Sequence, residues 1–207
     1  LRGKRQGDDP EAGMRAALGI IAVEFRSAYA ADAQDYLTKG IALRDSLRDE
    51  SLLSFCLAPH APFTVSDATF AQIAIYAAEL DLPVHIHLHE TAQEISDSLA
   101  AHGMRPIERL EKLGLLGPGL IAVHGVHLND AEIGLLARHG ASIAHCPSSN
   151  LKLGSGIAPV TGLLQAGVNL GIGTDSAASN NRLDLFTEMR TAALLAKGSS
   201  GDPRVMP

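Results

Sequence analysis

The chain has 207 residues, 46% of them apolar and 19% charged, with a formal net charge of −6. That is enough apolar material for a substantial core, although eight-stranded α/β barrels usually run to about 250 residues. The acidic balance gives no basic footprint for nucleic acid, and no run of 18 or more apolar residues offers a membrane span, so a cytoplasmic protein acting on a small molecule is expected. The opening Leu1-Arg2-Gly3-Lys4-Arg5-Gln6 is basic but is followed by Gly7-Asp8-Asp9-Pro10, with no apolar stretch of the kind a signal peptide needs. No initiator Met precedes it, and the chain reads as a piece of something longer. Cys56 and Cys146 each sit in an apolar run, which predicts two buried free thiols rather than a disulfide.

In chain order, β-branched apolar runs alternate with segments of helical period. Strands are predicted at Ala17–Phe25, Leu52–Ala58, Pro83–His89, Leu120–Val126, Ala141–His145 and Val168–Gly173. Between them lie amphipathic stretches at Asp32–Leu47, Ser66–Leu80, Thr91–Ala101 with Pro106–Leu113, Asp130–Arg138 and Val160–Ala166, and a last helix from about Leu183 to Lys197. Ser66 and Asn129-Asp130 mark helix starts; Gly114, Gly140 and Gly167 fall where stops belong. Six strand-helix alternations argue a parallel sheet with helical crossovers, in an α/β fold that is either an open doubly wound sheet or an incomplete barrel. Polar residues recur at the C-terminal ends of the strands: His60, His87 with Glu90, His124, His145 with Ser148 and Asn150, and Asp175. That recurrence fits βα loops converging on one pocket and favours the barrel.

The richest stretch is Pro83-Val84-His85-Ile86-His87-Leu88-His89-Glu90-Thr91. Strand period two aims its three imidazoles at one face, and a His-x-x-Glu at the strand end can supply a metal ligand and a proton carrier. It is not the helical His-Glu-x-x-His pattern, because His89-Glu90 is followed by Thr91-Ala92-Gln93. His124 closes an apolar strand before Gly125, and Asp175 follows Gly171-Ile172-Gly173-Thr174, where small residues leave room for a ligand. Each taken singly has a plain structural reading, a hydrogen-bonded histidine or a helix N-cap aspartate. Together they point to metal-assisted hydrolysis.

The order His-x-x-Glu, His, Thr-Asp-Ser on successive strands resembles the amidohydrolase superfamily, and most closely the methylthioadenosine/S-adenosylhomocysteine deaminases with their chlorohydrolase and triazine-hydrolase relatives. The resemblance runs from about Gly13 to the end and is carried by three stretches: 85–91, Cys146-Pro147-Ser148-Ser149-Asn150-Leu151-Lys152-Leu153-Gly154 continuing to Pro159, and Gly173-Thr174-Asp175-Ser176 continuing to Asn181. It implies a TIM-like (β/α)8 barrel, here an incomplete segment of about six βα units spanning 1–207. The first two units and a small β-sandwich built from both termini would be missing. It implies one divalent metal per site, zinc with iron or manganese as substitutes, held by His87 and Asp175. Glu90, His124 and Asp175 become the catalytic residues, Glu90 as proton shuttle and His124 orienting the attacking hydroxide; His60, Glu90 and Asn150 contact substrate. The expected reaction is release of ammonia from 5′-methylthioadenosine or S-adenosylhomocysteine. An s-triazine or other amino-heterocycle hydrolase, or a non-catalytic barrel fragment, are the alternatives.

Two departures accompany the resemblance. The family's first-strand His-x-His ligand pair has no counterpart, since such pairs occur here only within 85–89. Nor do arginines align with the family's substrate contacts near Ile20 and Tyr36. The segment alone is therefore expected to be inactive, and the full-length protein to act on a small molecule with no nucleic-acid or membrane partner, as a monomer or a homo-oligomer.

Overall fold

A computed structural model describes residues 13–206. The basic opening segment lies outside them. The elements alternate as the apolar pattern requires: β1 (Ala16–Ala22), α1 (Ala33–Ser46), β2 (Leu53–Pro59), α2 (Asp67–Leu80), β3 (Val84–Leu88), α3 (Ala92–His102), α4 (Pro106–Lys112), β4 (Leu120–His124), α5 (Asp130–His139), β5 (Ser142–His145), α6 (Pro147–Lys152), α7 (Val160–Gln165), β6 (Asn169–Ile172) and α8 (Leu185–Ser200). This is the α/β class, with parallel strands joined by helical crossovers. None of the described helices is long and apolar enough to cross a membrane.

The chain divides into two compact units. The first, up to His60 plus Thr64–His85, pairs β1 with β2 in parallel from Ala16↔Leu53 to Ala22↔Pro59, and β2 with the start of β3 at Leu57↔Val84. Its core is Ile20, Leu37, Leu57, Phe70 and Ile73. Helix α1 starts at Asp32, whose carboxylate accepts the Asp35 amide, and α2 at Ser66, whose hydroxyl accepts that of Thr69; each such cap stabilises by about 1 kcal/mol. The predicted first strand is too long. It ends at Ala22, because the Glu24 side chain turns to accept the Ser66 amide and the Thr69 hydroxyl at the start of α2, and Phe25 is left 59% exposed.

The second unit, Ala61–Phe63 with Ile86–Pro207, carries the end of β3 and β4, β5 and β6. Parallel pairing runs Ile121↔Ser142 to Val123↔Ala144 and Ser142↔Asn169 to His145↔Ile172. Its core is Ile86, Leu88, Ile107, Leu110, Leu120, Leu136, Ile143 and Leu163. The predicted stops at Gly114, Gly140 and Gly167 have φ of 75°, 67° and 75°, the left-handed conformation that ends helices. Helix α6 was not expected: six residues are too few to show a helical period, and Pro147 at its first position starts it without a side-chain cap. Cys56 and Cys146 are free and buried, as expected.

One glycine measures how closely a helix approaches a strand in the first unit. A Cβ on Gly40 of α1 would lie 2.3 Å from Cγ2 of the buried Ile20. Gly40→Ala would gain about 1 kcal/mol of helix propensity but overpack this contact by about 1 to 3 kcal/mol. Urea unfolding is expected to show a net loss of stability, whereas Gly198→Ala, where nothing lies within 4 Å of the added carbon, should be stabilising.

Candidate active site

All but one of the predicted site residues belong to the second unit, and the strand ends explain their placement. Strand β3 finishes at Leu88, and His89 leaves it with φ 56°. His124, the last residue of β4, has φ 75°, and Asp175, three residues past β6, has φ 58°. Left-handed conformation at a residue with a Cβ is uncommon and costs of order 1–3 kcal/mol, so three such residues at strand ends mark a constrained region.

The turn at His89 overturns the expectation that three imidazoles share one face. His85 and His87 alternate with buried Val84, Ile86 and Leu88. His89 does not continue the series. Its ring is fully buried elsewhere, with Nε2 accepting the Ile107 amide at 3.2 Å and Nδ1 3.3 Å from the carbonyl of His127. Acceptance at Nε2 places the proton on Nδ1, which donates to that carbonyl. Burial pushes the ring down to about 4, so it is neutral at pH 7, and it serves as a structural bracket.

His87 and His124 stack with ring centroids 5.5 Å apart and planes at 20°. The Glu90 carboxylate, partly exposed, lies 3.6 Å from His124 Nε2, an electrostatic contact longer than a hydrogen bond. His124 Nδ1 is 2.8 Å from Asn150 Oδ1; with the amide so oriented, Nδ1 donates and Nε2 presents a lone pair on the Glu90 side. Burial holds His124 below the ordinary histidine range, with the Glu90 carboxylate pulling the other way. Asp175 Oδ2 accepts the hydroxyls of Ser149 and Ser179, both at 2.6 Å, and Oδ1 accepts the Ser176 amide at 2.7 Å. Burial raises Asp175, yet these donors outweigh it and keep the carboxyl below its usual range, ionised at neutral pH.

Sequence reasoning placed Asn150 against substrate. Its oxygen is engaged with His124, and Nδ2 is buried without a hydrogen-bond partner among the described residues. Its neighbour Ser149 is committed to Asp175. His60 belongs to the first unit, where Nδ1 is 2.9 Å from the Thr64 hydroxyl. His145, grouped in the sequence with the converging strand-end residues, shares a β5 face with the core residue Ile143; its ring is buried and neither nitrogen has a hydrogen-bond partner among the described residues.

His87 and Asp175 are the right donor types for zinc, an imidazole nitrogen and an ionised carboxylate oxygen, and both act electrostatically on the same ring, His124. The three hydrogen bonds to Asp175 leave lone-pair capacity for one more partner. The pair fits as part of a zinc site. Three protein ligands are usual in catalytic zinc centres, and among the described residues no group of three or more His, Cys, Asp or Glu side chains is arranged to hold a metal.

The amidohydrolase family model matches residues 11–207. The chain belongs to the amidohydrolase family. It is 48% identical over 188 residues to a 5-methylthioadenosine/S-adenosylhomocysteine deaminase of Saccharophagus degradans, covering 91% of this chain and 42% of that protein. A solved adenosine deaminase from Xanthomonas campestris with bound zinc superposes at TM-score 0.93 and 49% identity, over 95% of this chain and 45% of that one. An atrazine chlorohydrolase from Arthrobacter aurescens complexed with zinc gives TM-score 0.84 at 26% identity, over 95% and 46%. The chain thus spans less than half the length of these relatives, with six βα units.

The neutral buried His145 has a consequence for acid stability. Burial lowers it from 6.5 to about 4, so between those values the unfolded chain binds a proton that the folded chain refuses, and stability falls as pH drops through that window. His145→Gln is expected to flatten the dependence of unfolding free energy on pH between about 6.5 and 4 by roughly one proton. Chemical denaturation at several pH values measures the slope.

Proposed function

We propose that this chain forms part of a zinc-dependent aminohydrolase that removes ammonia from adenosine-type thioether nucleosides, 5′-methylthioadenosine or S-adenosylhomocysteine. The observation that carries the reading is the cluster of His87, Glu90 and His124 beside an aspartate held ionised by three donors. Identity near 48% to a deaminase of these nucleosides, against 26% to the triazine-acting relative, supports the substrate class. Since Ser149 and Asn150 are already engaged, the preference rests on the relatives more than on pocket polarity.

In this reading His87 and Asp175 hold zinc, with iron or manganese as substitutes, and the remaining ligands come from outside the described residues. Zinc bound there supplies Lewis acidity that brings water toward ionisation near neutral pH. The chain's own residues manage the protons. The lone pair on His124 Nε2 accepts a hydrogen bond from the attacking water, and Asn150 keeps that tautomer by accepting from Nδ1. Glu90 takes a proton from water and delivers it to the purine ring nitrogen next to the amino-bearing carbon; a second transfer releases the amine as ammonia and leaves a carbonyl. Asn150, whose Nδ2 has no hydrogen-bond partner among the described residues, contacts substrate through that atom.

Glu90→Gln is expected to retain metal while lowering turnover by about a hundredfold or more, the scale of general acid-base catalysis. Elemental analysis beside steady-state kinetics on the full-length protein checks both halves, and near-normal turnover would remove Glu90 from the proton path. Ammonia release should be faster from 5′-methylthioadenosine or S-adenosylhomocysteine than from an amino-substituted triazine assayed in parallel; the reverse order favours the triazine reading.

A further inference from the structure

Helix α8 packs a stripe at spacing four, Glu188, Ala192 and Ala196, into the protein. The first of these is a carboxylate only 1% exposed, on a face otherwise made of small apolar residues. Burying a charge there is costly unless it is well hydrogen-bonded, and among the described residues the carboxylate meets neutral donors. Oε2 accepts the Ser148 amide at 3.1 Å and Oε1 accepts Asn180 Nδ2 at 2.7 Å. The nearby His145 ring is neutral at pH 7 and provides no cation.

The two donors are informative by position. Ser148 immediately precedes Ser149, and Asn180 immediately follows Ser179; those two serines are the ones that donate to Asp175 Oδ2. Asn180 Nδ2 also donates to the Thr174 carbonyl at 2.9 Å, on the residue before Asp175. One side chain on α8 therefore grips the first turn of α6, which follows β5, and the loop after β6, beside the hydroxyls that fix the aspartate. We propose that Glu188 is a positioning residue for Asp175: it sets the spacing of the two serine donors, and through them the orientation in which Asp175 presents its carboxylate to zinc. The proposal rests on the reading of Asp175 as a metal ligand. Partners behind a ligand typically contribute 10- to 100-fold to metal affinity or activity.

The test uses the full-length protein. In Glu188→Gln one carboxylate oxygen becomes an amide that cannot accept, so one of the two grips is lost at constant volume; Asn180→Ala removes the other end of the same link. Zinc affinity is measured by competition with a chromogenic chelator, alongside thermal unfolding of the metal-free proteins and kcat and KM. Both variants should bind zinc about 10- to 100-fold more weakly and lose kcat with KM changed less than about threefold. Their metal-free melting temperatures should stay within a few degrees of wild type, and the double variant should be no weaker for zinc than the worse single one. A purely structural role would lower the melting temperature and leave zinc affinity alone. Should Glu188→Gln not fold, Asn180→Ala carries the test by itself. Asp175→Asn serves as the reference. If it weakens zinc binding while folded Glu188→Gln and Asn180→Ala bind as wild type, the positioning proposal is overturned and the ligand reading stands. If Asp175→Asn itself binds zinc normally, the ligand reading fails and the proposal with it.

Discussion

The second unit depends on how the chain leaves β3 and β4. His89 and His124 both adopt left-handed backbone, and Gly125 follows at φ 58°. The cost of such turns, of order 1–3 kcal/mol for each residue with a side chain, is offset by a dense set of hydrogen bonds. Glu94 on α3 accepts the consecutive amides of His89 and Glu90 on its two oxygens, both at 2.8 Å, while the Gly125 amide donates to Leu88 and the His127 amide to His89. The turn sends the His89 ring away to the start of α4. It leaves Glu90 beside His124, so the same backbone twist that removes one histidine from the strand face brings a carboxylate to another.

Buried glutamates recur in this role. Glu94 reaches from α3 to two backbone amides past β3, Glu188 reaches from α8 to the Ser148 amide at the start of α6 and the Asn180 side chain, and Glu132 on α5 accepts from Arg105 and caps its own helix through the Asn129 amide. Burial raises Glu94, the expected cost of a carboxylate held by neutral amides. A carboxylate with two oxygens is suited to the task because it can accept two donors at once and lock their separation. Hydrophobic packing sets which helix lies over which strand; these polar links hold the loops against the helices, and chemistry at a site demands placement within about 0.5 Å.

Much of this was legible in the sequence because period and motif agree. Six apolar runs with β-branched residues alternate with amphipathic stretches, and all six strands form within those runs apart from one-residue overhangs at Ala16 and Pro59. The cluster of Glu90 with His124 follows from the strand-end motifs. What stayed hidden depends on local geometry that a linear pattern does not carry. Nothing in Leu88-His89-Glu90 announces a left-handed turn at a histidine, and Pro147–Lys152 is too short to show periodicity. Glu188 looks like any charged residue on an amphipathic helix, although its spacing of four and eight from Ala192 and Ala196 puts it on the buried stripe, and that charge among alanines was a usable signal. The sequence around Asn150 likewise gives no sign of the histidine that its side-chain oxygen engages.

Cys146 closes β5 within electrostatic range of Asp175, and burial, helped by the negative charges of Asp175 and Glu188, pushes its thiol up to about 12. The thiolate, not the thiol, is the nucleophile, so a sulfur kept protonated in this way is quiet toward oxidants and alkylating agents. The interior protects a reactive atom by denying it the charge on which its reactivity depends.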